Sequence, residues 1–129
     1  MRKYLLDTHI LIWVLLDSSR LSPKARVLFA ARGCRFYYSA ASIWEIALKH
    51  RKHPAEIPCT PDEAKSFAEE SGIRELPVTP AHATGVCSLP DIHGDPFDRL
   101  LISQSRCETM TLVTHDGNVV RYGENILGV

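Results

Sequence analysis

"RKYLLDTHILIWVLL", residues 2–16, changes its hydrophobic period partway along. Tyr4-Leu5-Leu6 is a short apolar run ending at Asp7-Thr8, and beyond it Ile10, Leu11, Trp13, Val14 and Leu15 recur at helical spacing. That change predicts a strand, a tight turn and a helix. It also leaves Asp7 at the carboxyl end of the strand, where a carboxylate either caps the following helix or belongs to a site at the sheet rim.

The pattern repeats outward from this unit. Ser22-Pro23 opens a second helix through about Ala31 with Gly33 as its stop, and Arg35-Phe36-Tyr37-Tyr38 has strand composition. Ser39 caps a helix from Ala40 to about His50. Pro54, Pro58 and Pro61 mark a loop, residues 62–71 form an amphipathic helix closed by Gly72, and Arg74–Val78 reads as a short strand. Thr79-Pro80 starts another helix, and a loop with Pro90 and Gly94 leads to a helix from Pro96 to about Cys107. Met110–Thr114 is a buried strand by its apolar and β-branched run, and Ile126–Val129 is a last one. Strands alternating with helices imply right-handed crossovers, so the expected fold is α/β: a three-layer α/β/α sandwich around a mainly parallel central sheet. At 129 residues the chain has the size of one domain, expected to span 1–129.

The composition, 45% hydrophobic and 23% charged, is that of an ordinary soluble globular protein. Fifteen basic and fifteen acidic side chains cancel, so no global field draws the chain onto nucleic acid or anionic membrane. Contact with nucleic acid must come from local patches. The densest, Lys49-His50-Arg51-Lys52-His53, reads either as a solvated helix end favoured by the helix dipole or as a phosphate contact. Cys34, Cys59, Cys87 and Cys107 are dispersed without a C-x-x-C pair, which fits a reducing cytoplasm. The amino-terminal segment resembles an export signal in its basic start and apolar run, but Asp7 and His9 interrupt it and no small-residue cleavage site follows. Its uncharged stretch Ile10–Leu16 is too short to span a bilayer.

Four acids occupy comparable places. Asp7 ends the first strand, and Asp116 follows the strand Met110–Thr114 in an Asp-Gly pair that by itself reads as a turn. Glu45 stands among Ile43, Trp44, Ile46, Ala47 and Leu48, where a buried carboxylate needs a partner. Lys49, one turn on, can supply it as an ion pair. The stretch "HGDPFDRLL", 93–101, opens a helix with Asp95 at the N-cap, Pro96 at the first position and Asp98 in the first turn. Carboxylates gathered at one rim repel and raise one another's pKa unless a cation neutralises them. Hard divalent ions with oxygen ligands do this, and Mg²⁺ typically keeps several waters while it does so.

"LLDTHILIW", "SAASIWEIALK", "HGDPFDRLLISQS" and "TLVTHD" resemble, in order and spacing over nearly the whole chain, the four acidic blocks of PIN-domain ribonucleases, in particular the VapC-type toxins of toxin–antitoxin pairs. The resemblance implies a PIN-like fold and a metal-dependent endoribonuclease in which Asp7, Glu45, Asp98 and Asp116 hold Mg²⁺ or Mn²⁺. It further implies attack of water on a backbone phosphorus, leaving a 5′-phosphate and a 3′-hydroxyl. Asp95 matches only a subgroup extension. A cognate antitoxin protein and a homodimer are implied by the same likeness. Lys49 and Arg99, next to motif acids, are candidates for phosphate binding or for pairing with those acids.

Other chemistries lack their residues. A phosphoaspartyl phosphatase wants Asp-x-Asp after the first strand, whereas Thr8-His9 follow Asp7. There is no Gly-rich phosphate loop, no G-x-S-x-G elbow and no zinc-site spacing. His9, His93 and His115 each adjoin a motif acid and are expected as hydrogen-bonding supports, and Trp13 and Trp44 as core. A catalytically idle RNA-binding module and a structural α/β protein whose acids only cap helices remain the rival readings.

Overall fold

The computed structural model describes residues 1–129. Strands β1 (Arg2–Leu6), β2 (Cys34–Ser39), β3 (Arg74–Leu76), β4 (Thr111–Thr114) and β5 (Ile126–Gly128) form one sheet in the order β3-β2-β1-β4-β5, every neighbouring pair parallel. The helices are α1 (Thr8–Leu15), α2 (Pro23–Ala30), α3 (Ala40–Lys49), α4 (Pro61–Glu70), α5 (Pro80–Gly85), α6 (Pro96–Cys107) and α7 (Gly117–Val120), with a single 3₁₀ turn at Val86–Ser88. Each expected element is present with ends shifted by at most two residues. Helix α7 is present but was not expected, because the Asp-Gly pair reads as a simple turn.

Period-two alternation divides the core. Leu5 and Leu112 point to one side of the sheet, where they meet Leu101 and Ile102 of α6, Leu89, Val119 and Tyr122. Tyr4, Leu6 and Val113 point to the other, against Ile10 and Leu11 of α1 and Ala68 of α4. Both faces are thus covered by helices, as a parallel sheet requires, and the result is the three-layer α/β/α sandwich. Leu5 is fully buried on the central strand, so its truncation to Ala costs about 2–5 kcal/mol. A third cluster, Ile12, Ile46, Ile57, Cys59 and Ala64, joins α1, α3 and α4 and fixes α3 beside the first helix.

Trp44 departs from its expected place in the core and is 59% exposed. Helix α3 carries apolar residues around most of its circumference, but it buries Ala41, Ser42, Glu45 and Ile46. The side opposite that face holds Trp44 and Leu48. Trp44 packs edge-on against Phe97 with ring centroids 5.2 Å apart. Trp13 is partly buried, between the rings of His9 and His115. No helix is long and apolar enough to cross a membrane.

The connectivity has one switch point. From β1 the chain moves outward to β2 and β3, then returns to the opposite side of β1 for β4 and β5. Two adjacent strands whose connections leave in opposite directions open a crevice beyond their carboxyl ends, and β1 and β4 are that pair.

Candidate active site

The crevice at β1 and β4 is a cleft of about 290 Å³ lined by Asp7, Glu45, Asp95, Asp98 and Asp116, together with His9, Trp13, Arg20, Lys49, Glu56 and His115. The four motif acids therefore meet at one place although they come from the turn after β1, from α3, from α6 and from the turn after β4. Each is held by its own neighbour.

Asp7 occupies the N-cap position of α1 but makes no side-chain cap bond. Its backbone N–H donates to the Val113 carbonyl at 2.9 Å, and its carboxylate accepts from the Thr114 hydroxyl at 2.6 Å, so the ends of the two switch-point strands are tied through this residue. The side chain is buried. Burial raises its pKa, against the Thr114 bond and the charge of His9, and the charge of Glu45 adds to the rise.

Glu45 is buried on the inner face of α3, and Lys49 Nζ donates to its Oε2 at 2.6 Å. The ion pair foreseen from the four-residue spacing is formed, and it lies inside the cleft. Burial works against the charge on Lys49, but the hydrogen bond and charge of Glu45, joined by Asp95 and Asp98, outweigh it and hold the ammonium above its usual pKa. Lys49 also lies over the Phe97 ring, 5.4 Å from its centroid.

The two acids of "GDPFD" divide their work. Asp95 caps α6: its Oδ1 accepts from the Asp98 N–H at 3.0 Å. Asp98 Oδ2 bonds His93 Nε2 at 3.0 Å. Burial, then the charge of Asp7, push the Asp98 carboxyl up to about 7; the His93 bond opposes the rise, and Asp95 and Asp116 add to it. Asp116 caps α7 through the Asn118 N–H at 2.8 Å and is exposed. Its cap role and its place in the cleft coexist.

Of the three histidines expected as supports, His93 bonds a motif acid and His115 Nδ1 donates to the Val129 carbonyl at 2.6 Å. His9 instead lies tilted against the Trp13 ring. Arg99, a candidate for phosphate contact, does not line the cleft. It follows Asp98 by one residue and so leaves α6 in another direction, where its guanidinium donates to the carbonyls of Pro90 and Val86 and to the Tyr122 hydroxyl. The cleft cations are Lys49 and Arg20. Arg20 and Glu56 were not foreseen: both sit in irregular segments whose path over the cleft no periodicity reports.

No three His, Cys, Asp or Glu side chains form a ready-made ligating cluster. The acids flank the cleft, each accepting a bond from a different neighbour. An ionised carboxylate has about four acceptor positions, so one such bond leaves capacity for a cation. The donor set is all oxygen, the hard type that suits Mg²⁺ or Mn²⁺. Six carboxylates face two cations across the cleft, an imbalance that favours a divalent ion and that, uncompensated, repels a phosphate backbone. The residues fit such an ion.

A carboxylate-lined cleft at the switch point of a five-stranded parallel sheet defines an α/β protein whose chemistry gathers at the strand ends. The family model described as the PIN domain matches residues 4–125, and the chain belongs to the PIN-domain family. No curated protein matches it. Among solved structures, the chain is similar to one of VapBC2 from Rickettsia felis bound to a DNA fragment from their promoter, at 16% identity and a TM-score of 0.68, covering 98% of this chain and 97% of that one. It is similar to a toxin–antitoxin complex from Klebsiella pneumoniae at 14% identity and a TM-score of 0.63, with 96% and 95% covered. VapBC-1 from nontypeable Haemophilus influenzae follows at 12% identity and a TM-score of 0.62, with 98% and 96% covered. At these identities the likeness is one of fold.

Proposed function

We propose that this protein is a divalent-metal-dependent endoribonuclease, formed by one domain over 1–129, that acts as the toxin of a toxin–antitoxin pair. The observation that carries the reading is the placement of Asp7. It is a buried carboxylate at a helix start that does not cap its helix and instead faces a cleft shared with Glu45, Asp98 and Asp116. A helix-capping role accounts for Asp95 and Asp116 but not for Asp7 or Glu45, which favours the nuclease over a structural protein.

In this reading Asp7, Glu45, Asp98 and Asp116 would hold the ion. Bound there, Mg²⁺ or Mn²⁺ supplies Lewis acidity toward a phosphoryl group and offsets transition-state charge. The chain's own residues do the rest. Thr114 fixes the Asp7 carboxylate, Lys49 orients Glu45 and keeps a cation at the cleft wall, and Arg20 offers a second cation at the rim to meet backbone phosphate. The open cleft suits an unpaired RNA segment, whose backbone can reach the acids without a duplex in the way.

The Klebsiella pneumoniae structure that shares the fold is a toxin–antitoxin complex, which supports a small antitoxin as the partner of this chain; in this reading it would cover the acidic cleft. A homodimer and a cytoplasmic location complete the proposal. The test is incubation of purified protein with a mixed RNA substrate in Mg²⁺, in Mn²⁺ and in excess chelator. Cleavage only with the ions is expected, and persistent cleavage in chelator by pure protein overturns the metal requirement.

A further inference from the structure

Behind the cleft, His93 stands between Asp98 and Tyr122. Its Nε2 is 3.0 Å from Asp98 Oδ2 and its Nδ1 is 2.8 Å from the Tyr122 hydroxyl. The hydroxyl has three further polar neighbours. Arg99 donates to it at 3.0 Å, the His93 backbone N–H donates to it at 3.4 Å, and the His93 carbonyl lies 3.4 Å away.

The inventory of donors fixes the direction of this chain. A guanidinium and a backbone N–H can only donate, so together they fill both lone pairs of the Tyr122 oxygen. The one hydroxyl proton then goes to its nearest acceptor, Nδ1 of His93. That nitrogen is therefore unprotonated, and the ring hydrogen sits on Nε2, aimed at the Asp98 carboxylate. We infer that Arg99, Tyr122 and His93 form a one-way hydrogen-bond chain that sets the tautomer of His93 and positions the Asp98 carboxylate, occupying Oδ2 and leaving Oδ1 for the cleft.

This inference rests on the reading of Asp98 as a metal-holding acid and goes beyond it by assigning positioning roles to Tyr122, outside the four acidic blocks, and to His93 and Arg99, which belong to one block but do not line the cleft. Each link has a packing reason to stay put. Tyr122 is a buried member of the core beneath α6, and its ring lies against His93 with centroids 5.4 Å apart. Arg99 is held at three points, on the Pro90 and Val86 carbonyls and on the hydroxyl, so the loop that carries His93 is fastened to the helix that carries Asp98. Partners that orient a ligating side chain from behind typically change metal affinity or activity 10–100-fold when removed.

The test titrates Mn²⁺ into the purified protein and follows the free-ion signal by electron paramagnetic resonance, with steady-state RNA cleavage measured in parallel. His93→Leu weakens Mn²⁺ binding about 10–100-fold and lowers kcat with KM for RNA little changed. His93→Gln, whose amide N–H can reach the position of Nε2–H, recovers most of both. Tyr122→Phe keeps the buried ring and removes only the hydroxyl, so it stays folded with a modestly lowered melting temperature, yet weakens Mn²⁺ binding several-fold. Wild-type Mn²⁺ binding and kcat in folded His93→Leu, or a Gln variant as impaired as Leu, overturns the positioning role. Asp98→Asn separates this failure from failure of the site reading: loss of Mn²⁺ binding there beside full binding in His93→Leu sinks only the hydrogen-bond chain, whereas wild-type binding in Asp98→Asn sinks the metal assignment on which it stands.

Discussion

Asp98→Asn tests whether the first-turn acid of α6 is there for the fold or for the cleft. The helix does not need it: the cap is Asp95, and the bond it receives comes from the backbone N–H of residue 98, which Asn retains. The ionised side chain is costly where it stands, because burial and then the charge of Asp7 lift its pKa from 3.8 to about 7. A rise of that size corresponds to about 4 kcal/mol against the anion, and because the group borders an open cleft, solvent screening reduces the usable part to about 1–2 kcal/mol. The folded state holds the proton more tightly than the unfolded chain, so this group makes stability fall as pH rises from about 4 to about 7. In chelator at pH 8, Asp98→Asn should melt about 3–8 °C above wild type. The gap should close as pH is lowered toward 4.5, where the wild-type carboxyl is neutral as well. RNA cleavage in Mn²⁺ should meanwhile fall by orders of magnitude. A variant that melts well below wild type and still cuts RNA shows Asp98 to be structural, and a gap independent of pH refutes the electrostatic argument.

Thr114→Val takes the hydroxyl from the buried Asp7 carboxylate at 2.6 Å and should cost about 1–3 kcal/mol in urea unfolding. The loss should be larger at pH 8 than at pH 5, because the Asp7 pKa is already raised and rises further without that bond. Gly85→Ala would put a Cβ 2.4 Å from the Ser103 hydroxyl, which is itself bonded to the His82 carbonyl, so a loss of about 1–3 kcal/mol is expected. Gly117→Ala, with nothing within 4 Å, should be close to neutral in the same melts. Trp44→Ala should change stability by less than about 1 kcal/mol, whereas Ile46→Ala, two residues on and fully buried, should cost about 2–5 kcal/mol; equal losses would contradict the observed orientation of α3.

The sheet and most helices are legible because their signals are local. The change of period at Asp7, the Ser22-Pro23 and Thr79-Pro80 starts, and the alternation that sends Leu5 and Leu6 to opposite faces act over a few residues. The four motif acids are legible for a related reason: each follows a strand end or sits in a patterned helix, so topology alone carries it to the same rim. What escaped depends on longer-range geometry. Arg20 reaches the cleft along a loop without period, and Arg99 points away because one position on α6 turns the side chain by about 100°. Trp44 sits on a helix whose buried face is marked by Ser42 and Glu45 rather than by its most apolar residues, so hydrophobicity misassigned it. Tyr122 meets His93 across 29 residues through a bond no spacing rule anticipates.

The most direct test of the central claim is cleavage of one defined single-stranded RNA in Mn²⁺ by wild type and by Asp7→Asn, with the ends of the products determined. Wild type should yield 5′-phosphate and 3′-hydroxyl ends. Asp7→Asn keeps the shape of the buried side chain and its place opposite Thr114, so it should remain folded and lose cleavage by orders of magnitude. Wild-type cleavage by folded Asp7→Asn, or 2′,3′-cyclic phosphate ends that persist in chelator, would contradict a metal-dependent nuclease built on this cleft.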